Sequence, residues 1–377
     1  MTHPEPRFTP LRERHEALGA SFTDFGGWSM PVRYTSDLAE HRAVREAAGI
    51  FDISHMAEFL VAGPDAGAFL DFALSGRLST IADDQAKYSL VLDTTGGIVD
   101  DVIVYRQHAE RFIVVANAGN RHAVATAFAE RIQGRDVRVE DWTDRIALIA
   151  VQGPASPAVL ADTTEISGWT TPRCELGYYR MAHADFVPSP GAEPVPVHIG
   201  RTGYTGEDGF EVFVRTEDAL AMWDALRRAG EGHGLVPAGL AARDTLRLEA
   251  GMPLYGHELS LDVSPVQVGL GRAVARGDDD FVGRSALAVE AAGRPVLVGL
   301  AAEGRRAGRA GYAVRDENGA EIGVVTSGAL SPTLGHPIAM ALVAPDHAAT
   351  GGTLSIDVRG TLVPATVTEL PFYRRTK

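Results

Sequence analysis

The chain has 377 residues, with 35 Lys and Arg against 49 Asp and Glu for a net charge of −14; at about 150 residues per domain this predicts two or three domains with ample core. The acidic balance argues against nonspecific binding to nucleic acid or to an anionic membrane, and no apolar run approaches the roughly 20 residues of a membrane span. The start, MTHPEPRFTPLRERHEALGA, has no apolar signal core, so a cytoplasmic protein is expected, and the single cysteine, Cys174, excludes an internal disulfide or a cysteine-rich metal site and is expected as a small buried residue.

In chain order, DLAEHRAVREAAG (37–49) reads as a helix with Asp37 and Glu40 as a capping box and Gly49 as its stop. Next, EFLVAG (58–63) predicts a strand that meets Pro64 at a helix start, and PDAGAFLDFAL is the helix, stopped by Gly76. Strands KYSLVL, GIVDDVIVY and RFIVVANA follow, then a helix near 120–132. The pattern begins again at IALIAVQG (146–153), which also ends in Gly-Pro before a helix, ASPAVLADT. Strands YYRMAHADF, VPVHIG and GFEVFV lead to the helix EDALAMWDALRRAG (217–230).

Both copies read strand, helix, strand, strand, strand, helix, which predicts an α+β fold of two related split β-α-β halves, ferredoxin-like, with antiparallel sheets, helices on one face and a cleft between the halves. Beyond residue 290, VLVGL, GYAVRD, EIGVVTSG, IAMALV, LSIDV and PATVTEL are short strands between Gly, Pro and Asn-Gly turns, the signature of a small antiparallel barrel. The expected domains are 1–145 (first copy), 146–290 (second copy) and 291–377 (barrel).

The segment RTGYTGEDGFE (201–211) places three glycines between two strands. A phosphate cradle requires such a run to open a helix, so this is a strand-loop-strand connection, longer than an ordinary hairpin turn. In the strand after it, Phe210, Val212, Phe213 and Val214 leave Glu211 no obvious solvent side, so its carboxylate needs a cationic or hydrogen-bonding partner. In GGIVDDVIVY (96–105), a period of two puts Asp100 and Asp101 on opposite faces, with Asp101 on the face of Ile103 and Tyr105. Arg243 and Arg247, four apart on a helix ending at Gly251, form a cationic stripe suited to a carboxylate of the protein or of a ligand. The histidines have no metal-ligand spacing, and no serine sits in a nucleophile elbow.

Seven ordered motifs, FGGWSMPVRY (25–34), FDISHM (51–56), GGIVDDVIVY, NAGN (117–120), RTGYTGEDGFE, LAARDTLRLEAGMPLYGHEL (240–259) and VTSGALSPTLG (325–335), together resemble the aminomethyltransferase (T-protein) family of the glycine cleavage system, from about residue 8 to 373. The resemblance implies a three-domain cloverleaf around a central folate channel. It implies transfer of a one-carbon unit from the aminomethyl-lipoyl arm of H-protein to tetrahydrofolate, giving 5,10-methylenetetrahydrofolate, with no metal. By the same resemblance, Asp101 matches the family's key aspartate. Tyr88, Asn117, Tyr204, Glu211, Arg243 and Tyr373 match folate-contacting positions, and Met56 and Leu60 an apolar wall. Gln267 and Arg272 in SPVQVGLGRAV stand where the family pattern expects an acid and an aromatic residue. The rivals are a folate-dependent demethylase of the same superfamily and the folate-binding iron-sulfur assembly proteins, whose cysteine motif at the 201–211 loop is missing from GYTGEDG.

Overall fold

The structure, a computed structural model, describes residues 5–277, 279–287 and 293–375, and the chain divides into two compact units. The first holds the chain up to Leu70, Arg77–Tyr88 and Val102–Arg243; the second holds Asp71–Gly76, Ser89–Asp101 and the chain from Asp244 onward. The boundary expected between 290 and 291 lies outside the described residues.

The chain opens with α1 (Arg12–Ala17), β1 (Ser21–Phe25), β2 (Trp28–Arg33), α2 (Asp37–Glu46) and β3 (Ala48–Asp52). Gly26 and Gly27 both have positive φ (60° and 83°) and join β1 to β2 in a two-residue turn that suits the strand twist. The capping box at 37–40 takes another form. Ser36 is the N-cap and makes no side-chain cap bond, and Asp37 is already helical. The Glu40 carboxylate reaches back past the cap to accept the amides of Tyr34, Thr35 and Gly239. Nor does Gly49 stop the helix: it lies inside β3, where a Cβ would come 2.5 Å from Val44 Cγ2.

The first repeat runs β4 (Ala57–Ala62), α3 (Ala66–Ala73), β5 (Gln85–Leu92), β6 (Ile98–His108), β7 (Arg111–Ala116), α4 (Arg121–Arg131), then β8 (Arg138–Asp141). The second runs β9 (Ile146–Gln152), α5 (Ser156–Asp162), β10 (Ile166–Ser167), β11 (Met181–Phe186), β12 (Val195–Gly200), β13 (Gly209–Arg215), α6 (Ala219–Gly230), followed by β14 (Leu235–Pro237) and α7 (Leu240–Glu249). The sheets are ordered β5-β6-β7-β4-β8 and β10-β11-β12-β13-β9-β3-β14. Leaving out β8, β10, β3 and β14, the two orders are the same. In each copy the first strand ends in a glycine of positive φ, Gly63 at 141° and Gly153 at 129°. A Cβ on either would overlap a backbone carbonyl, and a proline follows each at the entry to the next helix.

β3 and β14 extend the second sheet, and their pairing is parallel, within an otherwise antiparallel arrangement. Helices cover the outer face of each sheet. Ile149, Val151 and Val212 pack with Leu160 of α5 and Trp223 of α6, and Phe128 of α4 meets Phe59 and Phe69 edge-on at 5.8 and 5.6 Å. Each such aromatic pair contributes about 0.5–1.5 kcal/mol beyond its buried area. The uncovered faces meet each other: the Tyr105 ring of β6 stands edge-on to Phe213 of β13 at 5.3 Å.

In the second unit, α8 (Arg284–Leu287) precedes β15 (Val296–Ala302), β16 (Ala313–Arg315), β17 (Glu321–Leu330), β18 (Pro337–Val343), β19 (Thr353–Val358) and β20 (Thr361–Thr368). These close into a barrel in the order β15-β18-β17-β16-β19-β20 around Leu300, Val314, Ala341 and Ile356. Closure leaves no unpaired edge. Gln267 ties the preceding loop to the barrel: it is buried, accepts from Ser264 N, donates to the Pro295 carbonyl, and its own carbonyl accepts Leu297 N. An acid there could not make the donation. Arg272 is exposed.

Candidate active site

Two of the three glycines of the 201–211 loop are explained by one side chain, and the third, Gly206, has a positive φ of 81°. Gln152, at the end of β9 and fully buried, donates to the Thr202 carbonyl and accepts the Thr205 hydroxyl. A Cβ on Gly203 or Gly209 would overlap its amide group. The loop is closed by a two-pronged ion pair between Arg201 and Asp208 (3.0 and 2.6 Å). It is held to α2 by Arg45, which reaches the Thr205 carbonyl at 2.7 Å and the Glu207 carboxylate at 2.8 Å. The backbone is wrapped on a buried polar template, and Tyr204 is what it presents.

Glu211 is buried, as the strand pattern predicts, and its partners are hydroxyls. Thr202 Oγ1 donates to Oε2 at 2.6 Å, and the Tyr105 hydroxyl donates to the same oxygen at 3.1 Å while lying 2.7 Å from Thr202 Oγ1. Neither hydroxyl was evident as a partner from the sequence, although Tyr105 shares the strand face of Asp101. Room for the tyrosine comes from Gly200, the cross-strand neighbour of Glu211, where a Cβ would stand 2.8 Å from the Tyr105 ring. Burial, and then the charge of Glu211, push the Tyr105 phenol well above its ordinary range, so it remains a donor. Oε1 of Glu211 takes no hydrogen bond from the described residues.

The Arg243 guanidinium lies over the Tyr204 ring, 4.7 Å from its centroid, a contact worth about 0.5–2 kcal/mol. It is not paired with Glu211: among the described residues no carboxylate comes within ion-pair distance of it. Burial lowers its pKa, opposed by Tyr204 and Glu211. His55 is buried beside this charge, and burial followed by the Arg243 cation pushes its pKa down to about 4, leaving a neutral imidazole. The Tyr204 ring thus carries an unpaired guanidinium on its face, and the charge of Glu211, which keeps one acceptor oxygen open, acts on that same guanidinium. Such a set suits a flat, polar heterocycle with N–H donors on one edge and an acceptor on another.

The other expected residues are distributed as follows. Met56 is half-buried ahead of β4, and Leu60 of β4 lines a cavity of about 390 Å³ to which Tyr204, Glu211 and Arg243 do not contribute. Tyr88 of β5 and Asn117, the residue before the short turn Ala118–Asn120, are half-buried. In β6 the alternation separates the two aspartates: Asp100 is fully buried and Asp101 half-buried on the opposite face. The Asp100 charge, after burial, raises the pKa of Tyr255. Tyr373 is half-buried, its backbone amide bonded to the Glu249 carbonyl.

Two expectations are corrected. Arg247 does not form a cationic stripe with Arg243, because it is buried and taken up by Asp244 (2.7 Å), Glu258 (3.0 Å) and Ser327 (2.8 Å). Cys174 is exposed, since the 168–180 segment that carries it is an irregular excursion rather than a strand of the core. Among the described residues no cluster of His, Cys, Asp or Glu is arranged to hold a metal, and no helix is long and apolar enough to cross a membrane.

Comparison with known proteins identifies the family of the chain. A family model described as the GCVT N-terminal domain matches residues 11–277, and one described as the glycine cleavage T-protein C-terminal barrel domain matches residues 296–374. The aminomethyltransferase of Cutibacterium acnes is 52% identical, over 98% of this chain and 99% of the relative. That of Moorella thermoacetica is 44% identical over 98% of each. The crystal structure of the glycine cleavage system aminomethyltransferase T from Bartonella henselae superposes with a TM-score of 0.87 at 36% identity, covering 98% of this chain and 99% of that one. With both its halves and its barrel matched in order, the chain belongs to the glycine cleavage T-protein family of aminomethyltransferases.

Proposed function

We propose that the chain takes the one-carbon unit from an S-aminomethyl-dihydrolipoyl group on the H-protein of the glycine cleavage system and passes it to tetrahydrofolate, its acceptor substrate, in the cytoplasm. The carbon exchanges its bonds to ammonia nitrogen and carrier sulfur for bonds to two folate nitrogens. Of the two protons those nitrogens give up, one goes to the thiol and one leaves with the ammonia as ammonium, so the products are 5,10-methylenetetrahydrofolate, ammonium and dihydrolipoyl H-protein.

The observation that carries this reading is the Glu211 carboxylate, held by Thr202 and Tyr105 with one oxygen left open, its charge acting on the Arg243 guanidinium that lies over the Tyr204 ring. In this proposal Glu211 accepts from the N–H donors of the pterin, Tyr204 offers its ring, and Arg243 takes a ligand acceptor or carboxylate. Two hydroxyls already directed at Oε2 keep the carboxylate from turning, so binding has little left to order. Met56, Leu60, Tyr88, Asn117 and Tyr373 are proposed as further folate contacts. Asp101 is proposed to face the reacting carbon: loss of ammonia leaves a cationic centre, which a fixed carboxylate stabilises while orienting the attacking nitrogen.

The test is direct. Purified protein, lipoylated H-protein carrying the aminomethyl group and tetrahydrofolate should yield methylenetetrahydrofolate and ammonium in equal amounts. Leaving out the lipoyl group should abolish both. Product formed from a free methyl donor without H-protein would favour the demethylase reading instead.

A further inference from the structure

The stack of Arg243 over Tyr204 joins two segments that the second sheet keeps apart. The loop with Tyr204 leads into β13 and α7 follows β14, and in the strand order β9 and β3 stand between those strands. A cation over an aromatic ring is too weak to order a loop against a helix end, because the conformational entropy lost by even a few loop residues exceeds it. The 4.7 Å between guanidinium and ring centroid is therefore set by other bonds. Both segments are tied to one helix, α2.

Glu40, in the first turn of α2, is 1% exposed, and the side chain of Arg45, in its last turn, is 6% exposed. Five residues separate them, so they stand about 7.5 Å apart along the helix and about 140° apart around it. One carboxylate oxygen of Glu40 accepts the amides of Tyr34 and Thr35 at 2.8 and 2.9 Å, and the other accepts that of Gly239 at 2.9 Å. Gly239 immediately precedes α7, and its carbonyl accepts the Arg243 amide at 3.1 Å, closing the first turn of that helix. A carboxylate there also suits the positive end of the helix dipole. The chain passes so close to β2 that a Cβ on Gly239 would come 2.4 Å from the Val32 carbonyl. At the other end of α2, Arg45 Nη1 donates to the carbonyl of Thr205, the residue after Tyr204, at 2.7 Å and to the Glu207 carboxylate at 2.8 Å. Stability is a poor reason for this buried ion pair, since apolar residues of similar volume often do as well. What it supplies is a directed tie. All of these residues belong to the first compact unit.

We propose that Glu40 and Arg45 are positioning residues for the Arg243–Tyr204 pair, with α2 as the rigid spacer that sets the guanidinium over the ring. Glu40 fixes where the first turn of α7 begins, and so where Arg243 stands. Arg45 fixes the loop, and so where Tyr204 stands. Both act through these two residues and not on the ligand. The proposal rests on the reading of Arg243 and Tyr204 as folate contacts, and it adds how their spacing is kept: the pair is arranged before the ligand arrives, so binding does not have to organise it.

The experiment pairs solution NMR of the full chain carrying isotope-labelled arginine with calorimetric titration of tetrahydrofolate. The side-chain methylene protons of Arg243 next to the guanidinium should be shifted upfield by the ring current of Tyr204, and Tyr204→Leu identifies them by removing the shift. Glu40→Gln offers one acceptor oxygen where two are needed. Arg45→Met combined with Glu207→Leu removes the loop tie without stranding a charge. Both α2 variants should lose at least half of the shift and bind tetrahydrofolate at least fivefold more weakly. In the Tyr204→Leu background the Arg45 and Glu207 changes should weaken binding less than twofold further, because their effect runs through the tyrosine. Phe128→Leu, which loosens the core under the other sheet, controls for lost stability alone and should leave both shift and affinity as they were. An unmoved Arg243 signal in either α2 variant, or an equal movement in Phe128→Leu, would overturn the proposal. A moved signal with unchanged affinity would uphold α2 as the spacer and overturn instead the assignment of Arg243 and Tyr204 to folate.

Discussion

Asp100 and Asp101 are neighbours in sequence with opposite surroundings, one fully buried and the other half-buried on the reverse face of the same strand. Asp101→Asn is expected to bind tetrahydrofolate normally and to lower turnover by orders of magnitude, whereas Asp100→Asn should keep turnover and lower the melting temperature. Steady-state rates and thermal melts distinguish these, and equal losses of turnover would remove Asp101 from its proposed role. Glu211→Gln should weaken tetrahydrofolate by about 1–3 kcal/mol, the range for a lost charge-assisted hydrogen bond. Tyr105→Phe should weaken it less, because Thr202 still holds the carboxylate; calorimetric affinities compare the two. His55 supplies a pH signature. Its folded pKa of about 4 lies below the ordinary histidine value of 6.5, so the unfolded chain binds the proton first. Its contribution is present above about 6.5 and lost as pH falls toward 4, by about 3 kcal/mol at the limit. Denaturant midpoints across that window should drop in the unmodified protein and drop less in His55→Gln.

At the level of elements, the loop between β12 and β13 is specified by its glycines as much as by its polar residues. Gly203→Ala should lower stability by about 1–3 kcal/mol through overlap with Gln152. Combined with Gln152→Ala, its effect should fall well short of additivity, because the obstructing amide is gone; urea titrations of the two single variants and the double variant decide this. Such a relation could not be read from the sequence, where Gln152 is the polar end of an apolar strand. The repeat itself was legible, because β-branched runs punctuated by Gly-Pro fix both strand and helix starts. The β1–β2 hairpin left its Gly-Gly signal in plain view. β3 was hidden, since Ala48–Asp52 follows the helix after a single residue and the helical pattern runs into it. In the site, the burial of Glu211 was legible from its apolar neighbours. Its hydroxyl partners were not, because Tyr105 reaches it from another sheet, and the apparent pairing of Arg243 with Arg247 failed because nothing local reveals that Glu258 and Ser327 claim the second arginine.

For the molecule as a whole, a net charge of −14 makes any docking of an acidic carrier depend on local cations. Arg12 and Arg14 are already paired, with Glu16 at 2.7 Å and Asp224 at 2.5 Å, which leaves the exposed Arg33 and Arg374 as the better candidates, with Arg375 exposed beside Arg374. H-protein association is expected to slow as ionic strength rises. Arg374→Ala with Arg375→Ala should reduce both the rate and its salt slope while leaving tetrahydrofolate affinity nearly unchanged. Stopped-flow association across a salt series reads this, and identical rates and slopes would put the docking surface elsewhere.

The matched sheet orders also bear on ancestry. Tyr105 pairs with Ile113, which pairs with Leu60; Gly200 pairs with Glu211, which pairs with Ala150. Aligned on Gly63 and Gly153, these are the same three positions in the two copies, so Tyr105 corresponds to Gly200 and Ile113 to Glu211. The tyrosine of one copy occupies the space that the other copy leaves empty at the corresponding glycine, and donates to the acid beside it. Two identical subunits could set tyrosine against tyrosine or glycine against glycine, but never one against the other. A symmetric dimer of half-length chains therefore could not have held its carboxylate this way, and this support for Glu211 became available only once the two halves were joined in one chain and free to diverge.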